Sequence, residues 1–316
     1  MSGLLAASTA PVGTRVASFD VGSNTVIMLV VERGPEGWRV VTDEAEITRV
    51  SQGLDQHGLL FREGLERTAE KLSEMAETAS SYMVDHVVAT GTAPFRRARN
   101  GAEAAAELSR VIGAPLDVVT GEHEARLSLL ATRGSFPGLG DAWIVDIGGA
   151  STEVILSRAD GSHEVVSIDV GSVRLTERCV TRDPIPPEER DRIEAEVASA
   201  LDRAGVSSRG LTLPLVGVAG TVTSLAQMSL ELEAYDAERV HGHHLALGEL
   251  LRLETALFAL TLRQRVALPG MPAKRADVLP AGATLLRLLA VRLGVDEVIV
   301  SDRGIRWGRL FERFGV

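Results

Sequence analysis

The sequence predicts two α/β domains with mixed sheets, helices on the sheet faces and a cleft between them. Three observations carry that expectation. An acidic turn occurs twice, as SFDVGSNTVIML from Ser18 and as IVDIGGASTEVIL from Ile144. Each copy has an apolar run, an Asp, an apolar residue, a Gly, small residues, a hydroxyl residue and a second apolar run, which marks an internal repeat. Each half of the chain also opens with hairpin-forming strands and continues in strand–helix alternation. Finally, the 316 residues suit two domains of ordinary size or one large one, and 45% hydrophobic with 24% charged is the balance of a soluble globular protein.

The elements follow in order. Residues 1–14, MSGLLAASTAPVGT, lack the basic start and long apolar middle of an export signal and read as a flexible tail. RVASFDV, TVIMLVVE and WRVVTDEAEITRV alternate apolar and polar residues and are rich in β-branched side chains, so they read as strands. Residues 62–83 carry Leu65, Ala69, Leu72 and Met75 at helical spacing. HVVATGTA is a strand, 99–112 a helix, LDVVT a strand, and GEHEARLSLLATRG a helix that Gly134 can close. In the second half WIVDI, STEVILS, HEVVSID and LPLVGVA read as strands. Residues 186–205 form an amphipathic helix with Pro at its start and Gly at its end. DEVIVSD is the last strand and IRWGRLFERF the last helix. No Pro-, Gly- or Ser-rich linker separates the halves. The expected division is 15–124 and 125–316, with the last helix able to fold back on the first domain.

Charge narrows the function classes. A net charge of −10 disfavours broad binding to nucleic acid. A polyanionic substrate would have to be held by local donors and a metal. No apolar run reaches the roughly 18–20 residues that span a membrane. The single Cys179 fits a reducing cytoplasm and reads as a packing residue.

The two turns suit phosphate. Gly22, Gly148 and Gly149 let the backbone approach a ligand and take up positive φ. Successive N–H groups in each turn, from Gly22, Ser23 and Asn24 and from Gly148, Gly149 and Ala150, can form an anion nest. The hydroxyls of Ser23, Thr25, Ser151 and Thr152 and the Asn24 amide add donors. An Asp beside a phosphate makes sense if it carries Mg²⁺, directly or through water, which assigns Asp20 and Asp146 to a metal, with Glu153 able to join them. One such hairpin is most simply an Asp turn; two matching copies point to phosphate. A third junction, VGVAGTVTSLA, runs a strand into Ala219-Gly220 and a helix at Thr221. Gly220 and Thr221 there either bind a phosphate at the helix N-terminus or serve close strand–helix packing. The chain has neither a Walker A loop nor a dinucleotide-binding fingerprint.

The duplicated hairpin resembles that of the actin-like ATPase superfamily, whose ribonuclease H-like domains each bring one loop to an interdomain cleft. Within it, the chain is similar to the exopolyphosphatase and guanosine pentaphosphate phosphohydrolase (Ppx/GppA) family. FDVGSNT, GTAPFRRARN, TGEHEARL, VDIGGASTE, DVGSVRLTE, VGVAGTVTSLA, VHGHHL, RADVLPAGATLL and VSDRGIRWG occur in family order from Asp20 to Gly308, the extent of the short two-domain form. The resemblance implies removal of the terminal phosphate from inorganic polyphosphate, and action on pppGpp, with a divalent cation. It places the catalytic carboxylate at Glu124, which by itself reads as a helix-capping acid, and the phosphate-holding guanidinium at Arg96. Glu122 and Arg97 read as surface residues, and Asn100 as a cap or loop-orienting residue. His123 stands where the family often has an acid, Ala150 replaces a common Gly, and Thr25 a common Ser. Arg174 is a further candidate lining residue, and Arg275 is expected to contact Asp277. His241, His243 and His244 tempt a zinc reading, but they are too close together to form a site alone, and the resemblance makes them a turn. Two other functions stay open: an actin-like kinase, which would need an acceptor and an adenosine pocket, and a non-catalytic sensor of polyphosphate or alarmone. Family members are often homodimers.

Overall fold

The computed structural model describes residues 8–316, so the tail reading lies outside the described residues as far as residue 7. From Ser8 onward the segment is bonded: Ser8 N–H donates to the Val316 carbonyl and Gly13 N–H to the Arg33 carbonyl. Contacts divide the chain into two compact units. One runs up to Gly138 and includes Gly304–Val316; the other is Leu139–Arg303. Both are mixed α/β sheets clothed by helices, the fold class the sequence predicts.

In the first unit the sheet order is β3-β2-β1-β4-β5. Its strands are β1 (Arg15–Val21), β2 (Thr25–Arg33), β3 (Trp38–Ile47), β4 (His86–Gly91) and β5 (Leu116–Val118). β1, β2 and β3 form an antiparallel meander, and β4 and β5 run parallel to β1. The helices are α1 (Leu54–His57), α2 (Arg62–Ser81), α3 (Ala93–Arg97), α4 (Gly101–Ile112) and α5 (Gly121–Ser135), with a terminal helix at Ile305–Phe314. Side chains alternate across β1, so Ala17, Phe19 and Val21 enter one core with Leu72, Met75 and Leu108 of α2 and α4. Val16 lies on the other face, with Leu29, Val31 and the terminal helix's Trp307, Leu310 and Phe311. Burying those last three contributes roughly 1.5–3 kcal/mol each as an upper bound. Ser18 Oγ donates to the Arg306 carbonyl at 2.8 Å, and Arg306 grips Asp43 at 2.7 Å.

The terminal helix lies directly on α5. A Cβ on Gly308 would fall 2.0 Å from the Leu127 carbonyl oxygen, and one on Gly134 would fall 2.5 Å from the Phe311 ring. Gly134 therefore does not close α5, which continues to Ser135; it makes room for Phe311. This packing keeps α5 whole within the first unit, so the division falls at Gly138 rather than at Glu124.

The second unit repeats the plan. Its sheet order is β10-β11-β9-β6-β7-β8. The strands are β6 (Ala142–Ile147), β7 (Thr152–Ser157), β8 (His163–Ile168), β9 (Leu215–Val218), β10 (His244–Ala246) and β11 (Glu297–Ser301). Again three strands form an antiparallel meander, and two more run parallel to the first. β10 is an added antiparallel edge that begins at His244, so the VHGHHL segment runs into a strand rather than being a turn alone. β6 and β7 are buried at every residue, as suits strands covered on both faces. The helices are α6 (Ser172–Cys179), α7 (Pro187–Arg203), α8 (Ala219–Ser229), α9 (Ala237–Val240), α10 (Leu247–Ala259), α11 (Leu262–Val266) and α12 (Leu279–Leu293). α7 begins with Pro187 and is followed by Gly205 at φ 66°, as its sequence implies. Lys274 and Arg275 close a 3₁₀ turn, Ala273–Arg275.

Candidate functional site

In the first unit, Gly22, Ser23 and Asn24 join β1 to β2. The turn is closed by the Gly22 N–H, which donates to the Thr25 carbonyl at 3.0 Å. Its outer carbonyls are held by the segment after β3. The Ser23 carbonyl accepts from the Ser51 N–H at 3.2 Å and from Ser51 Oγ at 3.1 Å. The Asn24 carbonyl accepts from the N–H groups of Thr48 and Arg49, each at 3.0 Å. Arg49 adopts φ 53° in that clasp, a left-handed conformation unusual for a side-chain-bearing residue. The loop is thus pinned by its carbonyl oxygens, and its N–H side is the face suited to an anion. The Asn24 side chain is 7% exposed, and its buried Nδ2 has no hydrogen-bond partner among the described residues. A buried amide donor of this kind is unfavourable unless a ligand meets it.

In the second unit, Gly148 to Ser151 join β6 to β7, and Gly148 N–H donates to the Ser151 carbonyl at 3.0 Å. Here the clasp is the N-terminus of α6. Ser172 N–H donates to the Gly148 carbonyl at 3.1 Å, and the N–H groups of Val173 and Arg174 donate to the Gly149 carbonyl at 3.0 Å. The approach is so close that a Cβ on Gly171 would fall 2.5 Å from the Gly149 carbonyl. The free N–H groups of α6 are spent inside the protein. They fix the loop by its carbonyls, as residues 48–51 fix the first.

Several readings change. Gly22, Gly148 and Gly149 do not take positive φ. At two of them glycine answers a lack of space: a Cβ would lie 3.3 Å from the Thr25 oxygen at Gly22 and 3.1 Å from the Ser151 oxygen at Gly148. Ala150 also lacks positive φ, so it brings no backbone strain. The Thr152 hydroxyl donates to the Val170 carbonyl at 2.7 Å and supports the loop from within. Arg174 is 4% exposed and braces the α6 turn through Asp169. Gly220 does not offer an open helix N-terminus, because the guanidinium of Arg275 lies where its Cβ would be, 2.2 Å away at the nearest nitrogen. Burial pulls the Arg275 pKa down to about 10, which leaves it a cation at neutral pH. Thr221 packs its side chain on Gly282 of α12, whose other neighbour is Ser172.

Asp20 lies on β1 in the first unit. Asp146 and Glu153 face each other across β6 and β7 in the second and are 5% and 4% exposed. Ser167 Oγ donates to Glu153 Oε1 at 2.9 Å. Neighbouring carboxylates at that depth form an oxygen donor set of the kind a hard divalent cation takes, with waters and phosphate oxygens completing its shell. Among the described residues, no group of three or more His, Cys, Asp or Glu could hold a metal ion by itself.

Arg96 and Glu124 meet. α3 leaves β4 through Thr92 and ends with Arg96 and Arg97, while Thr120 caps α5 by accepting from the His123 N–H at 3.1 Å. Glu124 is 4% exposed in the first turns of α5. Arg96 Nη2 donates to Glu124 Oε2 at 2.7 Å, and its Nη1 donates to the Val119 carbonyl. Glu122 is exposed, and Arg97 pairs with Asp55 at 2.6 Å. Asn100 donates to and accepts from the Leu60 backbone, both at 2.9 Å, tying the loop before α2 to the start of α4. His123 turns to Glu312 of the terminal helix at 2.7 Å. Burial raises the Glu312 pKa, but hydrogen bonds from His123 and Arg309 outweigh it and hold the carboxyl below its usual value.

The three histidines do not converge. His243 reaches Ser229, His244 reaches Glu297, and His241 Nδ1 accepts from the Asp302 N–H. Cys179 is buried, which pushes its thiol pKa up and leaves it unreactive. Among the described residues, no helix is long and apolar enough to cross a membrane.

Known proteins resemble this chain over nearly its whole length. Residues 29–315 match the model of the Ppx/GppA phosphatase family. Exopolyphosphatase 2 of Mycobacterium tuberculosis is 35% identical, covering 92% of this chain and 96% of that protein. A guanosine-5'-triphosphate,3'-diphosphate pyrophosphatase of Vibrio cholerae is 27% identical over 94% of this chain, which spans 58% of that longer protein. The crystal structure of the Aquifex aeolicus Ppx/GppA family member superposes with a TM-score of 0.80 at 29% identity, covering 96% of this chain and 98% of that one.

Proposed function

The chain belongs to the Ppx/GppA phosphatase family, and from that premise we propose that it is an exopolyphosphatase, hydrolysing the terminal phosphoanhydride of inorganic polyphosphate and also acting on pppGpp. The observation that carries this reading is the contact of the exposed Arg96 with the buried Glu124 at 2.7 Å, in the unit that also holds the first pinned loop.

In this reading each loop binds phosphate with its N–H side. Gly22, Ser23, Asn24 and Thr25 serve in the first loop, and Gly148, Gly149, Ala150 and Ser151 in the second. The Asn24 amide donates to a phosphate oxygen, which gives its buried nitrogen a partner. Arg96 exchanges its carboxylate partner for two oxygens of the phosphoryl group to be cut, a bidentate contact suited to its planar fork. Glu124, released from Arg96, accepts a proton from the attacking water. The water oxygen bonds to phosphorus, the bridging P–O bond breaks, and orthophosphate leaves a chain shorter by one unit. Asp20 in the first unit, and Asp146 with Glu153 in the second, are the groups that would take up Mg²⁺. A bound Mg²⁺ supplies positive charge against the phosphoryl oxygens as the bond breaks. With one buried cysteine, the chain suits the reducing cytoplasm.

The test is phosphate release from polyphosphate and from pppGpp, with Mg²⁺ and with EDTA, by wild type and by Glu124→Gln. Release by wild type with Mg²⁺ and no acceptor, reduced at least a hundredfold in the variant, supports the reading. Equal rates in both proteins refute the assignment of Glu124.

A further inference from the structure

β4 carries a hydroxyl that the mechanism above does not use. Thr90 is fully buried, and its Oγ1 has no hydrogen-bond partner among the described residues. It sits in parallel register with Asp20 of β1. Register partners on adjacent strands project to the same face, about 5 Å apart. On β1 that face carries Val16, Ser18 and Asp20, the side on which Ser18 bonds the terminal helix. Thr90 and Asp20 therefore stand side by side near the C-terminal ends of two parallel strands, where the first loop and α3 begin.

A lone buried hydroxyl weakens the unliganded fold, because water no longer solvates it. Valine has the same shape and favours strands at least as well. Thr90 is not alone: Asn24 Nδ2 in the loop and Thr48 Oγ1 in its clasp are also buried without partners among the described residues. Three such atoms around one turn mark a place whose hydrogen bonding is completed by something other than the folded chain.

Resting on the reading of Asp20 and the first loop as a phosphate site, we propose that Thr90 is a positioning residue. Its hydroxyl bonds an ordered water that also meets the Asp20 carboxylate when phosphate is bound, and so fixes that carboxylate. Glu124 and Arg96 need no contact with it.

Thr90→Val and Thr90→Ser test this, each also combined with Glu124→Gln so that binding is measured without turnover. Without ligand, Thr90→Val raises the midpoint of thermal unfolding by about 2–4 °C. It also lowers kcat for polyphosphate about tenfold and weakens Mg²⁺-tripolyphosphate binding about tenfold in the Glu124→Gln background. Thr90→Ser keeps both values within a fewfold of wild type. Higher stability with weaker binding is not what a merely structural hydroxyl produces. Lower stability in Thr90→Val, or unchanged binding, overturns the inference. A wild type that binds tripolyphosphate without cleaving it sinks the hydrolase reading alone, since the binding comparison still decides the role of Thr90. A wild type that binds no tripolyphosphate overturns both.

Discussion

Gly171→Ala offers the sharpest structural test of the pinned second loop. Gly171 has φ −149° and ψ 169°, extended backbone that any residue adopts, so alanine there brings no dihedral strain. What it brings is a methyl group 2.5 Å from the carbonyl carbon and oxygen of Gly149 and 2.7 Å from the Ala150 nitrogen. Those are backbone atoms, and they cannot rotate away. Either the loop shifts or α6 withdraws. Overpacking of this kind costs about 1–3 kcal/mol. The three bonds from Ser172, Val173 and Arg174 to the loop are at risk as well, at roughly 0.5–1.5 kcal/mol each. A loss of about 2–5 kcal/mol lowers the unfolding midpoint of a unit this size by roughly 5–15 °C. A loop displaced by about 1 Å should lower kcat/KM on polyphosphate about a hundredfold. Calorimetry and phosphate release measure the two effects. Gly248→Ala on α10, where a Cβ meets nothing within 4 Å, is the control and should match wild type. If Gly171→Ala also matches wild type in both assays, the clasp between α6 and the second loop plays no part in holding the site.

Other outcomes follow from the same geometry. Gly308→Ala should destabilise by about 1–3 kcal/mol and reduce activity, because its Cβ meets the Leu127 carbonyl at 2.0 Å and pushes on the helix that carries Glu124; thermal unfolding and turnover report both. Ala150→Gly should leave activity within about twofold, since the position needs no positive φ and the substitution keeps the N–H donor. Glu189 caps residues 181 and 182, and hydrogen bonds from Thr181 first, then Arg182, hold its carboxyl down to about 2 against an ordinary 4.5. A depressed folded-state pKa stabilises above the unfolded value. This contribution is complete above about pH 4.5, fades as pH falls and is gone below about pH 2. Glu189→Gln should therefore flatten the acid limb of a stability–pH curve between those values; an unchanged limb would remove Glu189 as its source.

Much of the fold was legible because its signals are local. The alternation in RVASFDV and TVIMLVVE sets one hairpin, and the repeat at Asp146 sets its counterpart, with matching strand order in both units. Helix spacing in residues 62–83 and the Pro–Gly brackets of α7 marked two long helices. What escaped depends on tertiary contact. Gly134 looked like a helix stop because nothing in sequence shows Phe311 lying against it. Gly220 looked like an anion site because Arg275, far along the chain, could not be seen to cover it. The clasps at 48–51 and 171–174 left only faint traces. Arg49 carries no sign of its left-handed backbone, and Gly171 shows only as one more glycine. Both loops were found from their own residues, whereas the partners that orient their carbonyls were not. Arg96 and Glu124 lie in two separate family motifs, and neither motif shows that their side chains meet.

In the proposed reaction Glu124 activates the water that cleaves the phosphoanhydride. The most direct measurement is single-turnover cleavage of polyphosphate in ¹⁸O-labelled water, with mass analysis of the released phosphate. One labelled oxygen is expected in each phosphate, released without any acceptor by wild type and lost in Glu124→Gln. Phosphate that appears only on an added acceptor, or label that enters at the same rate in the variant, would contradict it.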